Sequence, residues 1–424
     1  MLDINFIKEN KEVIKAGAKK KRIDFDVEEL LSVDEDRRSL LQEVEKLREK
    51  QNKANENISK ASGEEKESAI KEMRDLKEEL QEKEAKLQKI MERWRALMVQ
   101  VPNIPDVSVP EGKDDEDNRE IKSWGEKPNF TFEAKSHVEM AKILDLADFE
   151  RGAKVSGFRG YFLKNDGFLL NFAVWQHALN FFLKRGGFTP IMTPALLNKE
   201  VFLGTGYIPQ GEDDLYKTQD EQYLAGTSEV PIMGYYMDEV IDKKDLPLKF
   251  LGFSSCFRRE AGSHGKDTKG LMRVHEFYKF EQIILCDANH QESVAWHEWI
   301  NENTEAFIQT LGIPYRVVVN CGGDLGLGQV KKYDIELWIP SENNYREISS
   351  ASYFHDFQTR RLNIRSRDED GKMHFVHSLN CTAAPTPRLL ISILENYQLE
   401  DGSVVVPEAL LPYMGGKERL EANK

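Results

Sequence analysis

The sequence has 424 residues, which predicts two or three domains with enough core to surround a substrate pocket. Its 40% hydrophobic and 31% charged residues fit a globular protein; no apolar run approaches the roughly 20 residues of a membrane span, and a secretory signal pattern is missing, so a cytoplasmic protein is expected. The formal net charge of −14 argues against RNA binding by bulk charge, so any RNA would need a locally basic surface.

The first large element in chain order is a helical hairpin at about residues 27–100. Apolar positions recur there at alternating spacings of 3 and 4, which is the seam of a left-handed coiled coil, and the seam occurs twice. The two runs are Leu40, Val44, Leu47, Gln51, Ala54, Ile58 and then Met73, Leu76, Leu80, Lys83, Leu87, Ile90, Trp94, Leu97. Because Gly63 in the intervening segment 59–65 suits a turn, the pattern predicts an antiparallel two-helix coiled-coil arm.

The function of this arm is open between an RNA contact, a generic dimerisation coil and a solvated charged hairpin. From Arg37 to Arg95 there are 16 Lys and Arg against 14 Asp and Glu, so this stretch has a net charge of +2 and the rest of the chain −16. The arm is therefore the least acidic large element, which favours an RNA contact.

A linker rich in proline, residues 101–130, follows the arm and separates residues 1–100 from a second domain at 131–424. Helical stretches in this second domain are predicted at 137–150, 168–186, 287–312 and 384–398, and strands include 315–319 and 333–338. Since the order is not a regular βαβ repeat, the pattern predicts an α+β fold with an antiparallel or mixed sheet and helices packed on it.

The segment 253–283 has the composition of two strands joined by a basic, mobile loop at 262–270. If the first strand continues through Arg258 and Glu260, both side chains share one face and line one pocket, while Arg259 points away. The loop matches neither the phosphate-binding loop nor the dinucleotide fingerprint, so any nucleotide is held in another way. Taken alone, the segment is equally consistent with a surface hairpin that has a charged tip.

Other blocks along the chain change this balance. The segment Phe257-Arg258-Arg259-Glu260 and the later Arg273-Val274-His275-Glu276-Phe277 resemble motif 2 (about 253–283) of class II aminoacyl-tRNA synthetases. Residues 188–206 resemble motif 1, Gly226-Thr227-Ser228-Glu229 resembles a serine-recognition segment, and residues 379–398, with Asn380-Cys381-Thr382 and Pro387-Arg388, resemble motif 3. As a set, the blocks are similar to those of seryl-tRNA synthetases, and the resemblance covers essentially the whole chain.

The resemblance implies a class II antiparallel sheet flanked by helices and preceded by the coiled-coil arm. It also implies an ATP-dependent ligase that converts L-serine to seryl-adenylate and transfers serine to the 3′ end of tRNA(Ser), with tRNA(Sec) left open as a second acceptor. The family is homodimeric and grips its tRNA with the arm, and nothing in the resemblance implies a membrane.

By position, the resemblance implies three catalytic residues, namely Arg258, Glu347 and Arg388. Arg258 is expected to hold the α-phosphate and the reacting carboxylate, because a guanidinium donates a planar fork of hydrogen bonds. The ATP site is expected to comprise Arg258, Arg259, Glu260, Val274, Phe277, Glu347, Ile348, Ser349, Ser350 and Arg388. Within it, Glu260 faces the adenine amino group, Phe277 and Arg388 stack on the ring, and Glu347 with Ser350 holds Mg²⁺. No role is assigned to Arg259.

The serine site implied by the resemblance comprises Thr227, Ser228, Glu229, Arg258, Glu281 and Thr382. Glu281 is expected to pair with the ammonium group, and Glu229 and Thr382 with the hydroxyl. A site that hydrogen-bonds a substrate hydroxyl rejects the analogue without it by roughly 10⁴–10⁵, so threonine rather than alanine is the difficult competitor.

The cysteines at 256, 286, 321 and 381 are far apart, with no paired spacing, so buried thiols are expected and neither disulfides nor a structural zinc. Two other functions are weighed. An amino acid:carrier-protein ligase has a related core, but its relatives carry zinc and lack the arm. A non-catalytic RNA-binding paralogue is disfavoured because Arg258, Glu260, Glu347 and Arg388 are all present.

Overall fold

The computed structural model describes residues 2–60, 62–262, 265 and 267–422. The chain divides into two compact units, one formed by Asp3–Lys19 and Ile23–Pro102 and the other chiefly by Asn103 onward, together with Lys20–Arg22. In the predicted turn 59–65, Ala61 lies outside the described residues, and in the predicted loop 262–270 the same holds for Ser263, His264 and Lys266.

The first unit consists of helices, and its largest part is an antiparallel pair. The helices are α1 Ile4–Glu9, α2 Lys11–Lys20, α3 Val27–Lys60 and α4 Glu64–Met98. Val44 and Leu47 of α3 pack on Leu80 of α4, as the predicted seam requires. Ion pairs also cross between the two helices, such as Lys83 Nζ–Glu43 Oε2 at 2.6 Å. The predicted coiled-coil arm is therefore confirmed.

The second unit is built on a large sheet with helices around it. Its helices are α5 His137–Ile143, α6 Phe149–Ser156, α7 Asn165–Arg185, α8 Lys199–Thr205, α9 Glu229–Tyr235, α10 His290–Thr310, α11 Phe357–Arg361 and α12 Arg388–Asn396. Its strands are β1 Arg119–Trp124, β2 Ala147–Asp148, β3 Phe162–Leu163, β4 Thr189–Met192, β5 Leu196–Leu197, β6 Tyr223–Leu224, β7 Val240–Asp242, β8 Leu248–Phe257, β9 Glu276–Cys286, β10 Tyr315–Val319, β11 Lys331–Ile339, β12 Asn344–His355, β13 Arg365–Arg367, β14 Met373–Phe375, β15 His377–Thr386, β16 Val404–Val405 and β17 Arg419–Leu420.

The large sheet has the strand order β1-β10-β11-β12-β15-β9-β8-β4. Every neighbouring pair is antiparallel except β4 and β8, which are parallel. This arrangement confirms the predicted α+β class and the antiparallel sheet.

The two faces of this sheet have different chemistry. On β9, Phe280 and Ile284 point to one face, where they join a core that includes Phe307 of α10. Since directly opposed residues of neighbouring strands share a face, the register assigns a set of mostly polar residues, together with Phe277, to the other face. That set is Phe277, Lys279, Glu281, Lys332, Asp334, Glu336, Glu347, Ser350, Asn380 and Thr382.

Three sequence expectations about secondary structure were wrong in detail. The predicted helix 384–398 begins only at Arg388, because β15 continues to Thr386. The predicted helix 137–150 is interrupted after α5, where Asp145 has a φ of 54°. Finally, β8 ends at Phe257, so Arg258 and Glu260 do not alternate along a strand.

Two further observations concern the cysteines and the helices. The four cysteines are free and buried, as expected. Within the described ranges, none of the helices has both the length and the apolar character needed to cross a membrane.

Candidate active site

The residues predicted to bind the substrate serine meet around Glu281, which lies in the middle of β9 on the polar face of the sheet. Its Oε2 accepts hydrogen bonds from Thr227 Oγ1 and, at 3.2 Å, from Ser228 Oγ, and its Oε1 lies 3.0 Å from Lys279 Nζ. Burial by itself raises the pKa of Glu281, but the Lys279 ammonium and the Thr227 hydroxyl hold that pKa below its ordinary value. Glu281 is therefore a buried carboxylate that is kept ionised.

Glu229, the first residue of α9, is a second buried carboxylate with different partners. Its Oε1 accepts from Gln358 Nε2 at 2.6 Å, and its Oε2 accepts from Asn380 Nδ2 at 2.7 Å and from Tyr207 OH at 3.1 Å. These donors are neutral, and burial together with the nearby Glu281 charge raises the pKa of Glu229 to about 7. Of the two carboxylates, Glu229 is therefore stabilised more than Glu281 by a bound cation.

A glycine allows the segment 226–228 to lie directly on the sheet. Gly252 of β8 lies opposite Glu281. A Cβ at Gly252 would be 2.7 Å from Ser228 Oγ and 2.6 Å from Ile232 Cδ1. Because these distances are too short, any larger residue would displace Ile232 and push Ser228 away from Glu281.

Thr382 and Asn380 of β15 complete this end of the site. Lys279 Nζ lies 3.4 Å from Thr382 Oγ1, so Lys279 contacts both Thr382 and Glu281. Asn380 Nδ2 donates to Glu281 Oε1 at 3.3 Å as well as to Glu229. We call the group formed by Thr227, Ser228, Glu229, Lys279, Glu281, Asn380 and Thr382 the serine end of the site.

Arg258 lies between this group and Phe277. Its backbone N–H donates to the His275 carbonyl at 3.0 Å, which is the last hydrogen bond between the two strands, just beyond the end of β8. Its Nε and Nη2 each lie 3.3 Å from the Gly226 carbonyl oxygen, and its guanidinium carbon is 5.3 Å from the centre of the Phe277 ring. Arg258 therefore contacts both the predicted serine segment and the predicted adenine platform.

The next two residues leave the sheet in a turn. Glu260 has a φ of 54°, and its Oε2 pairs with Arg273 Nη1 at 2.6 Å. Arg259 directs its Nη1 to the Asp213 carbonyl at 3.1 Å. The turn, and not strand alternation, thus separates the side chain of Arg259 from that of Glu260.

Arg388 and Glu347 lie next to each other. Arg388, at the start of α12, donates from Nε to the Met272 carbonyl at 2.9 Å and from Nη1 to the Glu347 carbonyl at 2.8 Å. The Glu347 carboxylate is 50% exposed, and its Oε2 is 3.9 Å from Arg388 Nη1. A carboxylate and a guanidinium are therefore both available to a ligand here.

A bulge brings Glu347 and Ser350 to the same face. Asp334 lies opposite Ser350 and Glu336 lies opposite Glu347, so β12 has one residue more than β11 in this interval. In a regular strand, two residues three positions apart would point to opposite faces. The bulge lets both face the same ligand.

The remaining predicted ATP residues have buried side chains. Ile348 belongs to the core beneath the sheet, and Ser349 Oγ donates to the Thr382 carbonyl at 2.5 Å. Val274 is buried as well. Val274, Ile348 and Ser349 would therefore contact ATP mainly through their backbone groups. We call Glu260, Phe277, Glu347, Ser350 and Arg388 the nucleotide end of the site.

The sequence did not single out several residues that hold the predicted ones in place. Lys279 could have been found, because it lies two residues before Glu281 on a strand and must share its face. Tyr207 lies in the loop after α8 and Gln358 lies in α11. Both donate to Glu229, and no local pattern connects them with residue 229.

Two family models match the chain. Residues 1–105 match the model described as the seryl-tRNA synthetase N-terminal domain, and residues 213–397 match the class II tRNA synthetase core domain (G, H, P, S and T).

Curated relatives and solved structures agree with these matches. The chain is 46% identical to the serine–tRNA ligase of Deinococcus radiodurans and 43% identical to that of Dictyoglomus turgidum, with 99% of each chain covered in both cases. Among solved structures it is similar to the seryl-tRNA synthetase of Pyrococcus horikoshii complexed with ATP, at 39% identity and a TM-score of 0.90 over 100% of both chains. It is also similar to the cytoplasmic serine–tRNA ligase of Naegleria fowleri in complex with AMP, at 30% identity and a TM-score of 0.86 over 100% of this chain and 99% of the other.

Proposed function

The chain belongs to the seryl-tRNA synthetase family and joins serine to tRNA with ATP, and on this basis we propose which of its residues carry each part of the reaction. The observation that carries the proposal is the place of Arg258 between the serine end and Phe277. A single guanidinium there can bind the serine carboxylate and the α-phosphate together. Formation of seryl-adenylate then depends on positioning and on stabilising charge at the phosphate.

For serine, the contacts favour the reverse of the assignment that the resemblance implies for the two carboxylates. Glu281 is already paired with Lys279 at 3.0 Å, whereas the donors that contact Glu229 are neutral. An ammonium group therefore gains more at Glu229. The hydroxyl of the substrate serine is then assigned to Glu281 and Thr382, and Thr227 and Ser228 close the pocket around them.

For ATP, we assign the adenine ring to Phe277 and Arg388 and its amino group to Glu260. Glu260 is paired with Arg273 at 2.6 Å, so this contact has to open or be shared when ATP binds. Arg388 holds two backbone carbonyls, those of Met272 and Glu347, which orients its guanidinium. Val274, Ile348 and Ser349 contribute backbone contacts, and Arg259 is left without a role.

Glu347 and Ser350 are suited to hold Mg²⁺ with ATP. Both are oxygen donors on one face of the bulge, and a hard cation prefers oxygen ligands. Asp334, Glu336 and Glu347 lie on this face, and the Glu347 charge adds to burial in raising the pKa of Asp334 despite the Lys332 ammonium. When bound, Mg²⁺ would offset the charge of the phosphates.

We assign tRNA(Ser) binding to the arm within residues 1–100, joined by the linker 101–130 to the catalytic domain at 131–424; tRNA(Sec) remains a second candidate acceptor. The arm's balanced charge, in a chain of net charge −14, supports a contact with the phosphate backbone. Deleting residues 36–98 should spare ATP–pyrophosphate exchange and abolish charging of tRNA. Charging at the normal rate by the truncated protein would refute this assignment.

We also propose that the protein is a cytoplasmic homodimer, and the catalytic unit has exposed apolar side chains suited to contact a second copy. Apolar side chains there are partly exposed, up to 78% at Met192 and 55% at Phe158. The others are Val155, Phe162, Phe168, Leu169 and Phe172. Sedimentation of the purified protein at micromolar concentration should give twice the chain mass of 48.9 kDa.

The activity is tested by exchange of pyrophosphate into ATP with purified protein. Exchange should require serine and Mg²⁺ and should not require tRNA, because adenylate formation precedes transfer. If none of the twenty amino acids supports exchange, the proposed function is wrong.

A further inference from the structure

Lys279 is a buried lysine whose ammonium group contacts two residues of the serine end. Its Nζ is 3.0 Å from Glu281 Oε1 and 3.4 Å from Thr382 Oγ1, and the side chain is only 5% exposed. Burying an ammonium group is costly unless it is paired and hydrogen-bonded. Here the pairing is with the two residues to which the serine hydroxyl is assigned.

The chemistry of an ammonium group determines how these two residues can act. An ammonium group donates hydrogen bonds and cannot accept them. Thr382 Oγ1 must therefore accept from Lys279, which leaves the Thr382 hydroxyl proton free to be donated elsewhere. Glu281, kept ionised beside Lys279, can only accept. The pair thus offers a ligand one donor and one acceptor.

Glu281 can exchange one of its present donors for a ligand. Its longest contacts are those from Ser228 Oγ at 3.2 Å and Asn380 Nδ2 at 3.3 Å. Asn380 also has a shorter bond of 2.7 Å to Glu229, so it loses little when a ligand replaces its contact with Glu281. A substrate hydroxyl can therefore take this position.

We propose that Lys279 is a specificity-determining positioning residue, which fixes the direction of the hydrogen bonds that Thr382 and Glu281 make with the serine hydroxyl. The inference rests on the proposed function, since it concerns the same serine site. A serine hydroxyl donates to Glu281 and accepts from Thr382, so both are satisfied. Alanine leaves the Thr382 proton without an acceptor and brings no donor to Glu281, which is the condition for rejection.

The test measures kcat/KM for serine and for alanine in pyrophosphate exchange, between about pH 6 and pH 9. In Lys279→Met, kcat/KM for serine should fall about 10- to 100-fold, because hydrogen bonds to a charged group are lost. The ratio of kcat/KM for serine to kcat/KM for alanine should fall at least about tenfold. Without Lys279, Glu281 can be protonated, and a protonated Glu281 does not need the serine hydroxyl as a donor.

The pH profile separates this role from a merely structural one. Other titratable or charged groups that face Glu281 are Arg258, Glu229, Cys256 and Tyr207, and Cys381 lies nearby on the opposite face of the sheet. Among these, Lys279 contributes most to keeping the pKa of Glu281 low. Its loss raises that pKa, so the acid side of the pH profile should move to higher pH.

Three further variants make the result decisive. Lys279→Arg keeps the charge and the donor-only character, so it should retain the wild-type pH profile even if it is less active. Thr382→Val should lower the serine-to-alanine ratio without moving the acid side of the profile. Lys21→Met removes another buried lysine, one bonded to the carbonyls of Gly326, Leu327 and Gln329, and should change neither property.

The outcomes are distinguishable. A folded Lys279→Met enzyme with the wild-type ratio and pH profile would overturn the inference while the proposed function stands. If Lys279→Met does not fold, the inference would be overturned by a Lys279→Arg enzyme whose pH profile has its acid side displaced from that of the wild type. Wild-type protein without serine-dependent exchange would refute the proposed function, and the inference would fall with it.

Discussion

The two ends of the site are built in opposite ways. At the serine end, Glu229 and Glu281 are buried, and every oxygen of both carboxylates accepts a hydrogen bond. At the nucleotide end, Glu347 is half exposed, and Glu260 is paired with an arginine that is not assigned to the site. The serine end is therefore organised before a ligand arrives, whereas the nucleotide end still has to exchange partners.

This difference follows from what each end has to recognise. A small polar amino acid is distinguished by fixed, desolvated donors and acceptors, so those groups must be in place beforehand. ATP is a large anion that brings its own charge and its metal, and exposed charges can reorient around it. Substitutions at the serine end should thus affect stability and selectivity together, and substitutions at the nucleotide end should affect activity with little change in stability.

The largest effect is expected where the two ends meet. Arg258→Ala removes the guanidinium assigned to the α-phosphate and the carboxylate, and kcat for exchange should fall about 1,000-fold or more. Arg258→Lys should restore little, because an ammonium group lacks the planar fork. The kinetics of pyrophosphate exchange are measured for both variants.

A matched measurement on Arg258→Ala tests the comparison itself. The apparent affinities for serine and for ATP should both weaken, since the residue belongs to both ends. If only one substrate is affected, Arg258 does not join the two halves of the site, and the central argument for the proposed function is lost.

The next effect concerns the nucleotide end alone. Glu347→Gln keeps the shape of the side chain but removes the charge proposed to hold Mg²⁺, and exchange should fall about 100-fold. The concentration of Mg²⁺ needed for half-maximal activity should rise, while the melting temperature stays within about 1 °C because the carboxylate is half exposed. An unchanged Mg²⁺ requirement would exclude Glu347 as the metal ligand.

Glu229→Gln tests the serine end. The loss of the charge assigned to the ammonium group should raise KM for serine about 10- to 100-fold and leave KM for ATP unchanged. Weaker binding of ATP alone, with normal serine binding, would contradict the assignment.

The same variant predicts a pH dependence of stability. Since the pKa of Glu229 is raised from 4.5 to about 7 in the folded protein, the folded state holds this proton more tightly than the unfolded chain does. Glu229 therefore lowers the free energy of unfolding as pH rises from about 4.5 through about 7, by at most about 3 kcal/mol. Glu229→Gln cannot lose a proton, so its stability relative to wild type should increase between pH 5 and pH 8 in urea unfolding.

The contrast between the ends also explains what could be predicted from the sequence. The arm was predictable because its seam repeats locally, and its helices begin and end close to the expected positions. The sheet class was predictable because the strands are long and are not separated by regular helices. The bulge that brings Glu347 and Ser350 to one face was not, since it depends on the register with β11.

At the site, strand alternation was a good guide inside strands and a poor one beyond them. It would have led from Glu281 to Lys279, but it was wrong for Arg258 and Glu260, because β8 ends at Phe257 and a left-handed residue follows. The partners of Glu229 come from distant parts of the chain, so only the folded structure identifies them.

The smallest effect is expected for the adenine platform. Phe277→Leu retains apolar surface but loses the ring proposed to stack on adenine, which is worth about 1 kcal/mol, so KM for ATP should rise about fivefold. Phe277→Tyr keeps the ring and should stay close to wild type. Because the ring also lies 5.3 Å from the Arg258 guanidinium, KM for serine has to be measured in the same preparations. An equal rise for both substrates would mean that Phe277 acts by orienting Arg258, and the division between the two ends would then be less sharp than the contacts indicate.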